Sequence, residues 1–273
     1  MRSRSALALA VCLLLSCPAA ALAQSDAGLN TIVTDRPDFT ESSEVVGHLV
    51  VQLEIGTNVA WTGEAGFRDR TITLPLALLR LGISRRFELR LSTDGYVVNS
   101  FGRSIGAYTS KGRADMEVGA KYVLRDADAG GFEFAVIPIL SVPTGADGFS
   151  SGTVDPTFKF TWATVLPRSF DISGNVNVSR LGDDLGRYTE HVLSVSLGHG
   201  LPGGWGSYAE VFGFTPHDRP DSSDWTFDAG VSHLLGNNAQ IDFEFGRGLT
   251  AAAPSWFVGT GVAFRTAALR RHR

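Results

Sequence analysis

Arg113-Ala114-Asp115-Met116-Glu117-Val118-Gly119-Ala120-Lys121-Tyr122 puts Ala, Met, Val, Ala and Tyr on one parity and Arg, Asp, Glu, Gly and Lys on the other. Only an extended strand, whose side chains alternate with period two, separates those sets cleanly. The alternation returns at 87–94, 170–178, 225–231 and 240–245. Extended over the chain, it predicts about twelve strands, at 49–59, 71–83, 87–97, 113–124, 132–142, 154–166, 170–180, 191–201, 205–215, 225–235, 239–249 and 256–266. Most of these run to ten residues or more. Globular strands average about five or six, whereas a tilted membrane strand needs about 9 to 11.

The connections alternate as well. Tight turns at Ser84-Arg85-Arg86, Pro167-Arg168-Ser169, Pro202-Gly203-Gly204 and Gly236-Asn237-Asn238 are followed by longer polar loops at 99–112, 145–153 and 217–224. Short turns on one side, long loops on the other and an even strand number describe an antiparallel up-and-down barrel of the outer membrane, with both termini periplasmic. The expected fold is therefore all-β, a transmembrane β-barrel over 48–266. Phe87, Phe132, Phe170, Trp205, Trp225 and Trp256 each open a strand, where an interfacial girdle belongs. Two irregularities stand out. The run 72–81 changes phase at Leu78-Leu79, which suggests a β-bulge, and the face that holds Glu210 also holds three aromatics.

The amino terminus fits this destination. Arg2 and Arg4 precede an apolar run at 6–15, and Ala21-Leu22-Ala23 supplies a small-x-small cleavage site, so 1–23 reads as a secretory signal peptide. A lipoprotein box at Leu14-Leu15-Ser16-Cys17 is the weaker reading, because Pro18 follows the cysteine. Cys12 and Cys17 leave with the leader, which removes disulfides and thiol chemistry from the expectations. Losing Arg2 and Arg4 moves the formal charge from −4 to −6, an acidic balance that argues against nucleic acid as a partner. Beyond the leader no apolar run reaches the ~20 residues of a membrane helix. Localisation to the outer membrane of a Gram-negative bacterium follows, with outer-membrane lipid, the barrel-assembly machinery and a small-molecule solute as partners.

Register then assigns faces. Leu49, Val51, Leu53, Leu89, Leu91, Met116, Val118, Phe243 and Phe245 are expected to face lipid. Glu54, Glu88, Arg90 and Asp94 alternate with them and face the lumen, as do Asp115, Glu117 and Lys121. Asp155, Lys159, Asp242, Glu244 and Arg265 complete the candidate solute pathway. Arg80 and Glu210 also fall on inward positions, where acids outnumber bases and predict cation preference.

The segment Thr34-Asp35-Arg36-Pro37-Asp38-Phe39-Thr40-Glu41-Ser42-Ser43, followed by Gly47-His48 and Gln52-Leu53-Glu54, resembles the opening of the outer-membrane family named after the MetA pathway of phenol degradation. Asp155-Pro156 and Gly261-Val262-Ala263-Phe264-Arg265 extend the similarity. The resemblance implies a channel or transporter, historically connected with aromatic degradation. One departure is Thr266, which stands where such barrels finish on an aromatic, ahead of the basic tail 267–273. The stretch 24–47 is expected to be either a disordered periplasmic leader or a plug, with Asp35, Arg36, Pro37, Asp38, Phe39 and Glu41 as its motif, Arg36 pairing to luminal acids and Phe39 anchoring by apolar contact.

Catalysis finds little support. A His and Ser two apart on one strand face would suit a lipid-hydrolysing barrel, but His191-Val192-Leu193-Ser194 and Ser232-His233 place the pair on opposite faces. His48, His191, His199, His217, His233 and His272 are too scattered for metal ligation, and His217, Asp218, Asp221 and Asp224 lack calcium-loop spacing. No metal or cofactor is expected. The alternative readings are a lipid-modifying enzyme and a structural barrel without a through-pore.

Overall fold

The computed structural model describes residues 30–63, 68–103, 106–127, 131–216 and 223–266. The expected leader at 1–23, the tail at 267–273 and most of the 217–224 loop lie outside the described residues. Fourteen strands follow one another: β1 (Val51–Thr62), β2 (Arg68–Gly82), β3 (Phe87–Thr93), β4 (Tyr96–Arg103), β5 (Gly106–Arg113), β6 (Met116–Arg125), β7 (Phe132–Val142), β8 (Asp155–Leu166), β9 (Phe170–Asp183), β10 (Gly186–Leu201), β11 (Trp205–Pro216), β12 (Asp224–Leu234), β13 (Ala239–Gly248) and β14 (Trp256–Arg265).

Every pairing is antiparallel, and β1 pairs with both β14 and β2, which closes twelve strands into a barrel. Closure removes the free edges that an open sheet would expose to lipid. The register climbs as it goes round. A single row of partners runs Gln52, Arg80, Arg90, Gly119, Ile139, Thr157, Ser179, Glu190, Pro216, from the start of β1 to the end of β11. That climb is the strand tilt that barrel closure requires.

The period-two pattern becomes an inside and an outside. On β3, Glu88 and Arg90 are buried while Leu89 and Leu91 are exposed; on β13, Asp242 and Glu244 are buried while Phe243 and Phe245 are exposed. A globular domain would do the reverse. An apolar outer wall around a polar interior is what a bilayer selects.

Three expectations need correction. The long loop at 99–112 is instead the hairpin β4–β5, which extends β2 beyond the barrel because β2 pairs with β3 through its second half and with β4 through its first. The irregularity of β2 is not at Leu78-Leu79. Gly56 pairs with Leu76 and Asn58 with Thr73, so Thr57 faces both Leu74 and Pro75. A bulge at Pro75 suits a residue with no N–H to give to the ladder, and it turns the inward set from Arg80, Leu78 and Leu76 to Thr73 and Thr71. Leu49 does not belong to the first strand: its φ of 59° places it in the turn that leads into β1.

The faces predict unequal tolerance to charge. Val118 is 53% exposed on the outer wall. Val118→Arg should cost about 2 to 4 kcal/mol of folding free energy in lipid vesicles, as a cation near the bilayer midplane does. Glu117→Gln, on the inner face, should cost less than about 1 kcal/mol. Urea titrations of the two variants in the same vesicles make the comparison.

Candidate functional site

Residues 30–50 run inside the barrel. Ile32 N–H donates to Asn237 O at 2.8 Å, on the tight-turn side, and Gln52 Nε2 donates to Val33 O at 2.8 Å. The chain then rises to Phe39 and Thr40, returns past Val46, and meets Gly82 as Leu49 N–H donates to its carbonyl at 2.8 Å. Arg265, at the end of β14, donates to Asn238 Oδ1 at 3.0 Å and to Asn30 O, fastening the entry.

One carboxylate organises this segment. Arg80 and Lys121 have 0% exposure and Arg90 is also buried, all pointing inward from β2, β6 and β3. Asp35 lies among them, with Oδ2 at 2.6 Å from Arg90 Nη1, 3.1 Å from Lys121 Nζ and 3.5 Å from Arg80 Nη1. The wall itself supplies Glu54, 3.2 Å from Arg80 Nη1, and Glu88, 2.9 Å from both Arg80 Nε and Arg90 Nη1. Three cations thus meet two wall carboxylates, and Asp35 supplies the third negative charge. Burial pushes the Asp35 carboxyl up, but Arg80, Lys121 and Arg90 outweigh it and hold the group well below the usual carboxylate range. Glu41 repeats the arrangement six residues on, 3.0 Å from Lys159 Nζ and 3.2 Å from Arg90 Nη2.

The opposite wall is acidic. Arg36 Nη2 sits 3.1 Å from Asp242 Oδ1, and its guanidinium lies flat against Gly56 and Gly261, paired neighbours on β1 and β14 where a Cβ on either would collide with it. Glu210 accepts Phe39 N–H at 2.7 Å and Thr40 N–H at 2.9 Å, together with the Thr40 hydroxyl. Thr40 Oγ1 also lies 2.6 Å from Ser194 Oγ. Phe39 stacks on Phe212 with centroids 4.6 Å apart and meets Phe214 edge-on at 5.4 Å. The aromatic, acid-bearing face of β11 is therefore luminal, and it receives the tip of the segment. Asp38, also at the tip, is pushed up to about 7 by burial, against a hydrogen bond from Ser196 and with the charge of Asp228 adding to the rise.

Not all the sequence-assigned pathway residues gather here. Glu117 and Asp94 border a cavity of about 260 Å³ beside the tip, together with Phe39, Leu78, Arg90 and Ile139. Glu244 lies farther round the wall, 3.5 Å from Asn58 Nδ2. Asp115 is taken up by the β7–β8 loop, accepting the N–H of Gly145 at 2.8 Å and of Ser151 at 3.0 Å. Asp155 accepts the Thr153 hydroxyl at 2.6 Å near the end of the barrel opposite the tight turns. Pro37 makes the bend between Arg36 and Asp38. Sequence reasoning had put Arg80 and Glu210 inward without giving them a role, and it gave none to Thr40, to Ser194 or to Ser42, whose N–H and hydroxyl donate to Asp35 Oδ1 at 2.9 and 2.7 Å. The signal for Arg80 was a charge in an otherwise apolar run, and for Glu210 the aromatics around it.

The model of the family described as "Putative MetA-pathway of phenol degradation" matches residues 34–266. No protein of curated function matches the sequence. Among solved structures, an outer membrane channel from Pseudomonas putida F1 is similar over 84% of this chain and 100% of its own, at 13% identity and a TM-score of 0.58. The KdgM porin (13% identity, 78% and 98% covered, TM-score 0.48) and the CymD monoaromatic hydrocarbon channel (10% identity, 83% and 90%, TM-score 0.43) are more distant in shape.

The ion cluster gives the docked segment two pH limits. Asp35, depressed, contributes above the ordinary carboxylate pKa and loses its contribution as pH falls through its lowered value. Asp38, raised, contributes while protonated and loses its contribution as pH rises through about 7. Protease nicking between 30 and 48 should therefore rise as pH is raised from the ordinary carboxylate range toward about 7 and level off above it, and Asp38→Asn should flatten that rise. Asp35→Asn should increase nicking throughout the range above the ordinary carboxylate pKa, since removing one partner of a buried pair costs about 3 to 5 kcal/mol.

Proposed function

The chain belongs to the MetA-pathway family of phenol degradation, and from that membership and the geometry of its lumen we propose that it is an outer-membrane channel for small solutes, passive and cation-preferring, with residues 30–50 as a plug. The observation that carries the reading is a closed barrel whose inner wall is polar and charged while its outer wall is apolar. A lumen of that kind supports water and solutes, since charged groups in a dry interior would be prohibitively costly.

Solute preference follows from the inner wall. Carboxylates outnumber cations there, and those cations are already taken by Asp35, Glu41, Glu54 and Glu88. On the acidic wall, Asp228 Oδ1 and Asp242 Oδ2 have no partner among the described residues. Phe39, Phe212, Ile139 and Leu78 add apolar surface near the constriction, which suits solutes with a hydrophobic or aromatic part. The plug itself favours a second reading, a structural barrel without a through-pore. Liposome swelling with graded solutes separates the two: swelling supports a channel, and its absence a closed barrel.

In planar bilayers, deletion of 30–46 should raise single-channel conductance, and an unchanged value would remove the plug from the account. Reversal potentials across a KCl gradient should show cation preference at neutral pH, weakening toward about pH 4 as carboxylates titrate. Anion preference at pH 7 would contradict the assigned inner wall.

A further inference from the structure

The two faces of the barrel are unlike in the sign of their charges. By register, every carboxylate on a described strand side chain, from Glu54 on β1 to Glu244 on β13, points into the lumen. Cations divide. Arg80, Arg90, Lys121, Lys159 and Arg265 point inward, whereas Arg70, Lys111, Arg113, Arg180, Arg187 and Arg247 fall on outward positions toward the end of the barrel away from the tight turns, and Arg125, opposite outward Phe134, is the described exception at the tight-turn end. By the loop-length rule the end away from the tight turns is extracellular. Among the described strand residues the outer wall therefore presents only positive charge, most of it at the level of the outer leaflet's headgroups.

Three of these cations share a surface. The outward row Ile72, Val98, Lys111 and the row Leu74, Tyr96, Arg113 cross β2, β4 and β5, and Arg70 begins the next row with Ser100 and Thr109. Because rows climb from β1 toward β11, β5 stands higher than β1 at equal register. Lys111, in the row of Val59, is thus lifted toward the level of Trp61, where Trp61 and Trp256 stack at 3.7 Å in a girdle position. Arg70, Lys111 and Arg113 are exposed, and none is ion-paired to a described residue. Below them, where the hairpin β4–β5 parts from β6, an outward-facing groove of about 390 Å³ runs between Pro75, Tyr96, Arg113, Ala114 and Met116.

We propose that this face binds one phosphorylated glycolipid of the outer leaflet, with phosphates on Arg70, Lys111 and Arg113 and an acyl chain in the groove against Tyr96 and Met116. Two features favour that lipid over a phospholipid with a single phosphodiester. Lys111 and Arg113 are about 7 Å apart along β5, and Arg70 is about 12 Å from Lys111, two strand spacings across and two residues along, a spread that suits more than one phosphate. These three cations also sit on the extracellular side, where such glycolipids reside. Arginine and lysine on phosphate oxygens are charge-assisted contacts, and the groove adds apolar burial to them.

The test uses the full chain in detergent micelles with bis-phosphorylated lipid A as the probe, read by native mass spectrometry. The triple variant Arg70→Gln, Lys111→Gln, Arg113→Gln should bind at least about tenfold more weakly, given the ordinary worth of one basic residue near an anionic membrane surface. Lys111→Gln alone, on the edge strand, should lose about fivefold, and it serves if the triple variant fails the heat-modifiability test for a folded barrel. Arg247→Gln, on β13, should leave binding unchanged. Undiminished binding by a folded variant, or equal binding of phosphatidylglycerol or of dephosphorylated lipid A by the unaltered protein, would overturn the proposal.

Discussion

The carboxylate of Asp35 between Arg80, Arg90 and Lys121 is the contact on which the interior depends. Three cations leave water when β2, β3 and β6 close into the barrel, and the wall answers them with only Glu54 and Glu88. Burying an unmatched guanidinium or ammonium costs several kcal/mol even after relaxation. The missing negative charge comes from a residue sixteen positions before the first strand. The amino-terminal segment is thus part of the barrel's electrostatics, and its seat is fixed by the place where the cations converge.

Everything else about the inner segment follows from that anchor. Once Asp35 is held, Glu41 reaches Lys159 and Arg90, Arg36 is carried to the acidic wall at Asp242, and the tip presents its backbone N–H groups to Glu210. The segment has no strand or helix of its own and satisfies much of its polar backbone from wall side chains. That is the accounting buried irregular backbone must meet. It also explains the lumen's two-sided charge: the basic wall is neutralised by the inner segment, and the acidic wall retains the surplus.

How much of this was legible in the sequence depended on which interaction carried the signal. The barrel strands could be read from 113–122 and its relatives because a bilayer forces strict alternation onto every strand, so each local pattern repeats the global answer. The hairpin β4–β5 was not legible, since Ser100, Ser110 and Gly112 form no polar and apolar alternation once the strands leave the membrane. The bulge was placed three residues late, because two adjacent leucines suggested a phase change that Pro75 actually imposes. Arg80 gave a charge in an apolar run but no hint of its partner. The ion cluster joins residues 35, 80, 90 and 121, and contacts that distant in sequence leave no periodicity to find.

Among the described strand residues the outer wall obeys the same constraint in the opposite sense, holding no carboxylate and admitting cations near its rims, most of them the extracellular one. Inner and outer faces together describe one chain whose charges are placed by the dielectric on each side. The central claim is that residues 30–50 occupy the lumen, and the 2.6 Å separation of Thr40 Oγ1 and Ser194 Oγ offers its most direct test. With Thr40→Cys and Ser194→Cys together, the full chain in native outer membranes should form an intramolecular disulfide, seen as faster migration of the heat-denatured, unreduced protein. Oxidised membranes in which the two thiols stay free and both react with maleimide would contradict a seated plug.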